Sequence, residues 1–217
     1  VNFGSFYLYF CIWHIFGQML WKIFGYVVYL QSMHRNHFLK NRSQKMKLYI
    51  VRHGETAWNK ARKIQGQADI PLNEFGRMLA RKTGAGLADV HFDLCYSSPM
   101  SRAKETARLI LAGSTTQIIE DARIVEIAFG EYEGRCCSKS GWNLPEEFRF
   151  FFDEPDRYRA PEGGEDFAQV KKRTGDFLQE IYEKKEYQKY NILIATHGAA
   201  LAGLLNNIRG KSLAEYW

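Results

Sequence analysis

Two apolar runs of strand length end in the same pair of residues, and nothing else in the chain constrains its fold as strongly. Leu48-Tyr49-Ile50-Val51-Arg52 leads into His53-Gly54; near the other end, Ile192-Leu193-Ile194-Ala195-Thr196 leads into His197-Gly198. Short runs rich in Ile and Val, bounded by Gly, read as buried strands. In an open α/β sheet the ligand site lies outside the carboxyl ends of the strands. Two strands that stop this way bring two imidazoles to one place.

The segments between them alternate in type. Residues 47–51 read as a strand and 54–70 as a polar loop. A helix opens at Asn73, a plausible N-cap, and runs to about Leu87. Phe92 to Tyr96 is a second strand. Ser98 as cap and Pro99 at the first helical position predict a helix through Leu111. Gln117 to Glu120 is a short strand, and 121–164 is irregular and aromatic-rich. From Glu165 to Lys185, Phe167, Val170, Thr174, Phe177, Leu178, Ile181 and Tyr182 share one helical face. Asn191 to Ala195 is a further strand, with a helix over Ala199 to Asn207. This order predicts an α/β class, a three-layer α/β/α sandwich around a mainly parallel sheet.

The net charge of +6 is concentrated at one end. Residues 1–45 hold Lys22, Arg35, Lys40, Arg42 and Lys45 and no acid, so the rest is nearly neutral and offers no broad surface for nucleic acid. That leader is apolar and aromatic over residues 3–30. One reading is a membrane anchor, with the basic residues after it on the cytoplasmic side. The other is an upstream extension, since Met46 directly precedes the first strand. Residues 46–217 then form the working domain. The four cysteines lack zinc spacing, and adjacent Cys136 and Cys137 do not suit a structural disulfide. Free thiols in a reducing, cytoplasmic compartment follow.

After residue 45 only His53, His91 and His197 remain as histidines. A neutral imidazole is a nucleophile near pH 7. Arg52 beside it offers a planar fork of donors for a phosphoryl group. Gly54 lets backbone come close to a ligand, and Asn59 is a neutral donor from the loop. Arg102, in the first turn of its helix, suits a bound anion there. Glu126 sits among Ile124, Val125, Ile127 and Ala128, and such neighbours could raise its carboxyl pKa toward that of a proton carrier; the sequence alone favours the plainer reading, a loop glutamate paired to an arginine. The rings of 135–165, Trp142, Phe148, Phe150, Phe151, Phe152 and Tyr158, predict a small helix packed on the domain. Arg149, Arg157 and Arg159 among them leave a second reading open, a lid that reads another anionic group.

Four motifs in order carry a family resemblance: Arg52-His53-Gly54-Glu55-Thr56 with Trp58-Asn59, Ser97-Ser98-Pro99 with Arg102-Ala103 and Thr106-Ala107, Glu126 with Phe129-Gly130 and Glu133-Gly134, and Thr196-His197-Gly198. Together they resemble the histidine phosphatase superfamily, the phosphoglycerate mutase-like fold, over residues 46–217. The resemblance implies that His53 becomes a phosphohistidine. It implies that Arg52, Asn59, Arg102 and His197 hold the phosphoryl oxygens, that Gln65 and Gly66 lie near the substrate, and that Glu126 protonates the leaving oxygen. No metal or cofactor is implied, and the partner is a small phosphorylated substrate. The segment between Gly134 and Glu165 is shorter than the resemblance implies for a true mutase, and Phe129-Gly130-Glu131-Tyr132-Glu133-Gly134 resembles the phosphatase branch, so hydrolysis of small phosphomonoesters is expected. The alternatives are a phosphoglycerate mutase or a catalytically weak binding module. The resemblance also implies a further C-terminal strand, which 46–217 is short of.

Overall fold

In the computed structural model of the protein, residues 6–10, 27–32 and 46–217 are described. The elements are β1 (Phe6–Phe10), β2 (Val27–Ser32), β3 (Lys47–Arg52), α1 (Ala57–Lys60), α2 (Glu74–Gly86), β4 (Leu94–Ser97), α3 (Ser101–Ile110), β5 (Ile118–Glu120), α4 (Phe150–Asp153), α5 (Phe167–Glu183), β6 (Asn191–Thr196) and α6 (Gly198–Arg209). The sheet order is β1-β2-β3-β6-β4-β5. From β3 to β5 every pairing is parallel, while β1 and β2 join antiparallel at the β3 edge. The leader thus contributes two strands. The anchor reading otherwise falls on residues outside the described ones. Among the described residues no helix is long and apolar enough to cross a membrane.

Alternating side chains split the strands between two faces. Leu48 and Ile50, Ile192 and Ile194, and Leu94 and Tyr96 pack against Phe177, Leu178 and Ile181 of α5 and Leu201, Leu204 and Ile208 of α6. Tyr49, Val51, Cys95, Leu193 and Ala195 face the other way, onto Ala107 and Ile110 of α3 and the adjoining Leu111. Helices therefore cover both faces, the predicted three layers. A third cluster gathers Phe129, Phe148, Phe151, Tyr158, Phe167 and Tyr216 beside the sheet. It is built by ring packing, with Phe151 stacked on Phe148 and on Phe167 at 5.4 and 5.0 Å between centroids.

Local chemistry sets the helix ends. Asn73 caps α2 by accepting from Gly76 N at 2.8 Å. Asp166 and Gln169 form a capping box on α5. The start of α3 departs from the sequence expectation. The helix begins at Ser101, not Pro99, with Met100 in the cap position. Ser98 Oγ does accept from Met100 N, at 3.3 Å, but it also bonds His197 Nε2 at 2.8 Å. The amide and hydroxyl of Ser101 instead donate to Asp69, both at 2.8 Å.

Candidate active site

The register of the sheet sets the site. Arg52 and Thr196 are partners across β3 and β6, and His53 N donates to Thr196 O at 2.9 Å. The two histidines therefore emerge side by side, with ring centroids 5.0 Å apart. Gly54 N is held by Thr106 Oγ1 at 3.1 Å, and that hydroxyl donates to Arg102 O at 2.7 Å, tying the end of β3 to α3. The Gly54 position admits no side chain, because a Cβ would stand 2.5 Å from Gly76 O at the start of α2.

Hydrogen bonding fixes both tautomers. The carbonyl of Gly54 can only accept, so His53 Nδ1 donates to it, at 2.6 Å. The Nε2 lone pair of His53 is then free for attack. Arg102 Nε–H donates to His197 Nδ1 at 3.2 Å, so His197 Nε2 carries the proton and donates to Ser98 Oγ. Both rings are buried. Burial, with the charges of Arg52 and Arg102, holds His53 neutral well below its ordinary 6.5. Burial, then the field of His53, Arg102 and Arg52, does the same to His197.

Arg102 is fully buried. Besides His197, it donates to Ala68 O and Gly66 O, both at 2.7 Å, which uses three of its five N–H groups. Arg52 is exposed beside it. Gly66, at φ 54°, occupies the left-handed region, and a Cβ there would lie 2.0 Å from Glu133 Oε1. That carboxylate accepts from Gln67 N at 2.8 Å and Phe129 N at 3.1 Å, fastening the loop that holds Arg102.

Asn59 Oδ1 closes the cap of α1 by accepting from Thr56 N at 3.1 Å, and Gln65 Oε1 accepts from Thr56 Oγ1 at 2.9 Å, so both side chains brace the loop through their oxygens. One expectation is revised by the geometry. Glu126 is not surrounded by apolar side chains. Its carboxylate accepts from Ile127 N at 3.0 Å, Gly198 N at 2.9 Å, Ala199 N at 2.9 Å and Ala200 N at 3.2 Å. Of its apolar neighbours, Ile124 and Ile127 turn into the cores and are fully buried, while Val125 and Ala128 are half-buried.

The motifs place Ser98 only as a helix cap and do not single out Arg173. Ser98 holds the His197 tautomer. Arg173 forms a two-pronged ion pair with Glu165 at 2.8 and 3.0 Å, and donates to the carbonyls of Arg123, Val125 and Glu126. It thereby pins the loop that carries Glu126. The available signal was an Arg directly beside the buried face of α5, next to Thr174. Arg149 pairs with Glu146 and lies over Trp142; Arg157 pairs with Glu154 and lies over Phe150. Arg159 donates to the carbonyls of Asp156 and Tyr158. These contacts favour the packed helix over an anion-reading lid. Among the described residues no group of three or more His, Cys, Asp or Glu could hold a metal ion.

Residues 48–217 match the family described as histidine phosphatase superfamily (branch 1). Phosphoserine phosphatase 1 of Hydrogenobacter thermophilus is 31% identical over 172 residues, 79% of this chain and 80% of that protein. The metal-independent phosphoserine phosphatase of Arabidopsis thaliana is 32% identical over 178 residues, 81% of this chain and 74% of its own length. Among solved structures, Bacillus stearothermophilus YhfR superposes with a TM-score of 0.72 at 36% identity, covering 78% of this chain and 83% of that one.

Proposed function

The chain belongs to the histidine phosphatase superfamily (branch 1) and is a phosphatase, and from that premise we propose that it hydrolyses small phosphomonoesters through a phosphohistidine on His53. The observation that carries this reading is the His53 tautomer: Nδ1–H is spent on Gly54 O, and the bare Nε2 sits in a neutral, buried ring beside two arginines. Nε2 attacks phosphorus as the ester P–O bond breaks, and the leaving oxygen takes a proton from Glu126. Water then attacks the phosphorus, the P–N bond breaks, Glu126 takes a proton from that water, and phosphate leaves. Arg52 and the uncommitted N–H groups of Arg102 offset charge on the phosphoryl oxygens, the main demand of this transfer. His197 acts through Arg102, by anchoring its Nε. The free thiols of Cys95, Cys136 and Cys137 support a cytoplasmic setting.

Relatives named for phosphoserine, and a solved phosphoserine phosphatase from Entamoeba histolytica in complex with 3-phosphoglyceric acid, make phosphoserine and 3-phosphoglycerate the first substrates to offer. Rapid acid quench of the full chain with labelled substrate should trap one acid-labile phosphoryl group per molecule, and His53→Ala should lose both it and turnover. Near-native turnover in His53→Ala would remove the assignment. Phosphate release without added bisphosphoglycerate separates hydrolysis from transfer to a second hydroxyl.

A further inference from the structure

This inference rests on the phosphohistidine reading and concerns where Glu126 stands before it gives a proton. The amides of Gly198, Ala199 and Ala200 open a helix of 12 residues. The first N–H groups of a helix have no partner within it and lie at the positive end of its dipole. Here the anion they hold is the Glu126 carboxylate, through the three bonds described above.

The same amides border the phosphoryl-transfer groups. A Cβ on Gly198 would lie 3.4 Å from Glu126 Oε2 and 3.7 Å from the Arg52 guanidinium carbon, so carboxylate and guanidinium flank one glycine. The Glu126 charge also acts on Arg102. His53 is 5% exposed, and its Nε2 has no hydrogen-bond partner among the described residues. A phosphoryl group seated against Nε2 and Arg52 is therefore beside the opening turn of α6, whose donors suit its oxygens. Two anions cannot both take those donors.

The geometry points to Glu126 as an internal ligand of the phosphoryl seat, displaced from the α6 amides when substrate binds. On the seat both of its oxygens accept N–H bonds, and it has no proton to give. Beside a bound phosphoryl dianion it loses those donors and faces like charge, which favours uptake of one proton from solvent. That proton is the one delivered to the leaving oxygen as the P–O bond breaks. Substrate binding itself thus readies the acid.

Sulfate is the probe, since its charge does not change near neutral pH. Titration calorimetry on the full chain at pH 7 compares wild type with Glu126→Gln and Glu126→Ala. Both variants should bind sulfate about fivefold more tightly or better, given what a charge at a helix end contributes, while phosphomonoester turnover falls. Wild-type binding should take up a proton, seen as a dependence of the heat on the buffer, and Glu126→Gln should not. Gln retains an acceptor for α6, so that variant carries the test if the Ala variant does not fold. Sulfate binding in Glu126→Gln no tighter than wild type, or proton uptake that persists in it, overturns the proposal. Absence of a trapped phosphoenzyme would instead remove the nucleophile assignment and leave the sulfate comparison standing.

Discussion

At the scale of single residues, protonation and hydrogen-bond geometry decide what each group can do. His53 and His197 stay neutral in the folded protein, whereas in the unfolded chain they protonate near 6.5. Below that pH the unfolded state binds protons that the native state does not. The stability from these two groups is therefore complete above about 6.5 and is lost as pH falls, by up to about 1.4 kcal/mol per pH unit for each ring. Urea denaturation at pH 7.5 and 5.5 should show the loss, and His197→Gln should show less of it; an equal loss in that variant would clear His197 as a source. The acid limb of turnover should likewise fall below pH 6.5. Arg102→Lys keeps the charge but cannot reach His197, Ala68 and Gly66 together. We expect a loss of about 2–3 kcal/mol in stability and at least a hundredfold in kcat/KM; near-native kinetics would show that the fork is not needed. Arg52, His53, Arg102 and His197 were legible because their motifs are local. The setting of Glu126 was not, because the amides that hold it come from Gly198 to Ala200, far away in sequence.

Elements show the same division. Strands and helices were legible wherever an apolar period ran long, as in α5, whose predicted face is buried from Phe167 to Ile181 with Tyr182 packed at its margin. The α3 start was misplaced because a tertiary partner, Asp69, supplies its opening acceptor while Ser98 serves His197. The loop from Gln65 to Ala68 is set by one left-handed glycine. Gly66→Ala adds about 1–2 kcal/mol of backbone strain and pushes Glu133 off two amides. Its effect on KM should exceed its effect on melting, because Gly66 O and Ala68 O position Arg102. An unchanged KM would show that Arg102 is held without the loop. The aromatic element after Leu144 makes the opposite prediction. Replacing Arg149, Arg157 and Arg159 together with Ala should leave KM for phosphomonoesters within about twofold, since the first two sit in exposed ion pairs, which contribute little, and Arg159 bonds only to local carbonyls. A rise well beyond that would restore the anion-reading lid. Phe148→Ala, by contrast, should cost about 3–5 kcal/mol, because its ring is buried at the centre of that cluster.

For the whole molecule, the three-layer plan followed from the order of elements, but the partners of each strand did not. Strand type can be read from composition, whereas neighbours are chosen by shape and burial across long separations. β1 and β2 are the case in point: an apolar leader gave no alternating pattern to mark them as strands beside β3. The placement of β6 has the largest consequence. It is the last of the described strands in chain order, yet it lies between β3 and β4, and it brings His197 to His53. During synthesis on the ribosome, everything up to Tyr190 emerges before the strand that joins it. Until then β3 and β4 each present an unpaired apolar edge, the kind of surface that associates with other chains. A chain stopped at Tyr190 should therefore stay unfolded or aggregate and bind holdase chaperones, as circular dichroism and pull-down would show; a soluble, folded product would mean that the earlier strands close without it. Because β3 is made early and β6 long after it, the imidazoles of His53 and His197 can meet only once residues 191–197 have emerged, so this pocket is assembled late from parts made far apart in time.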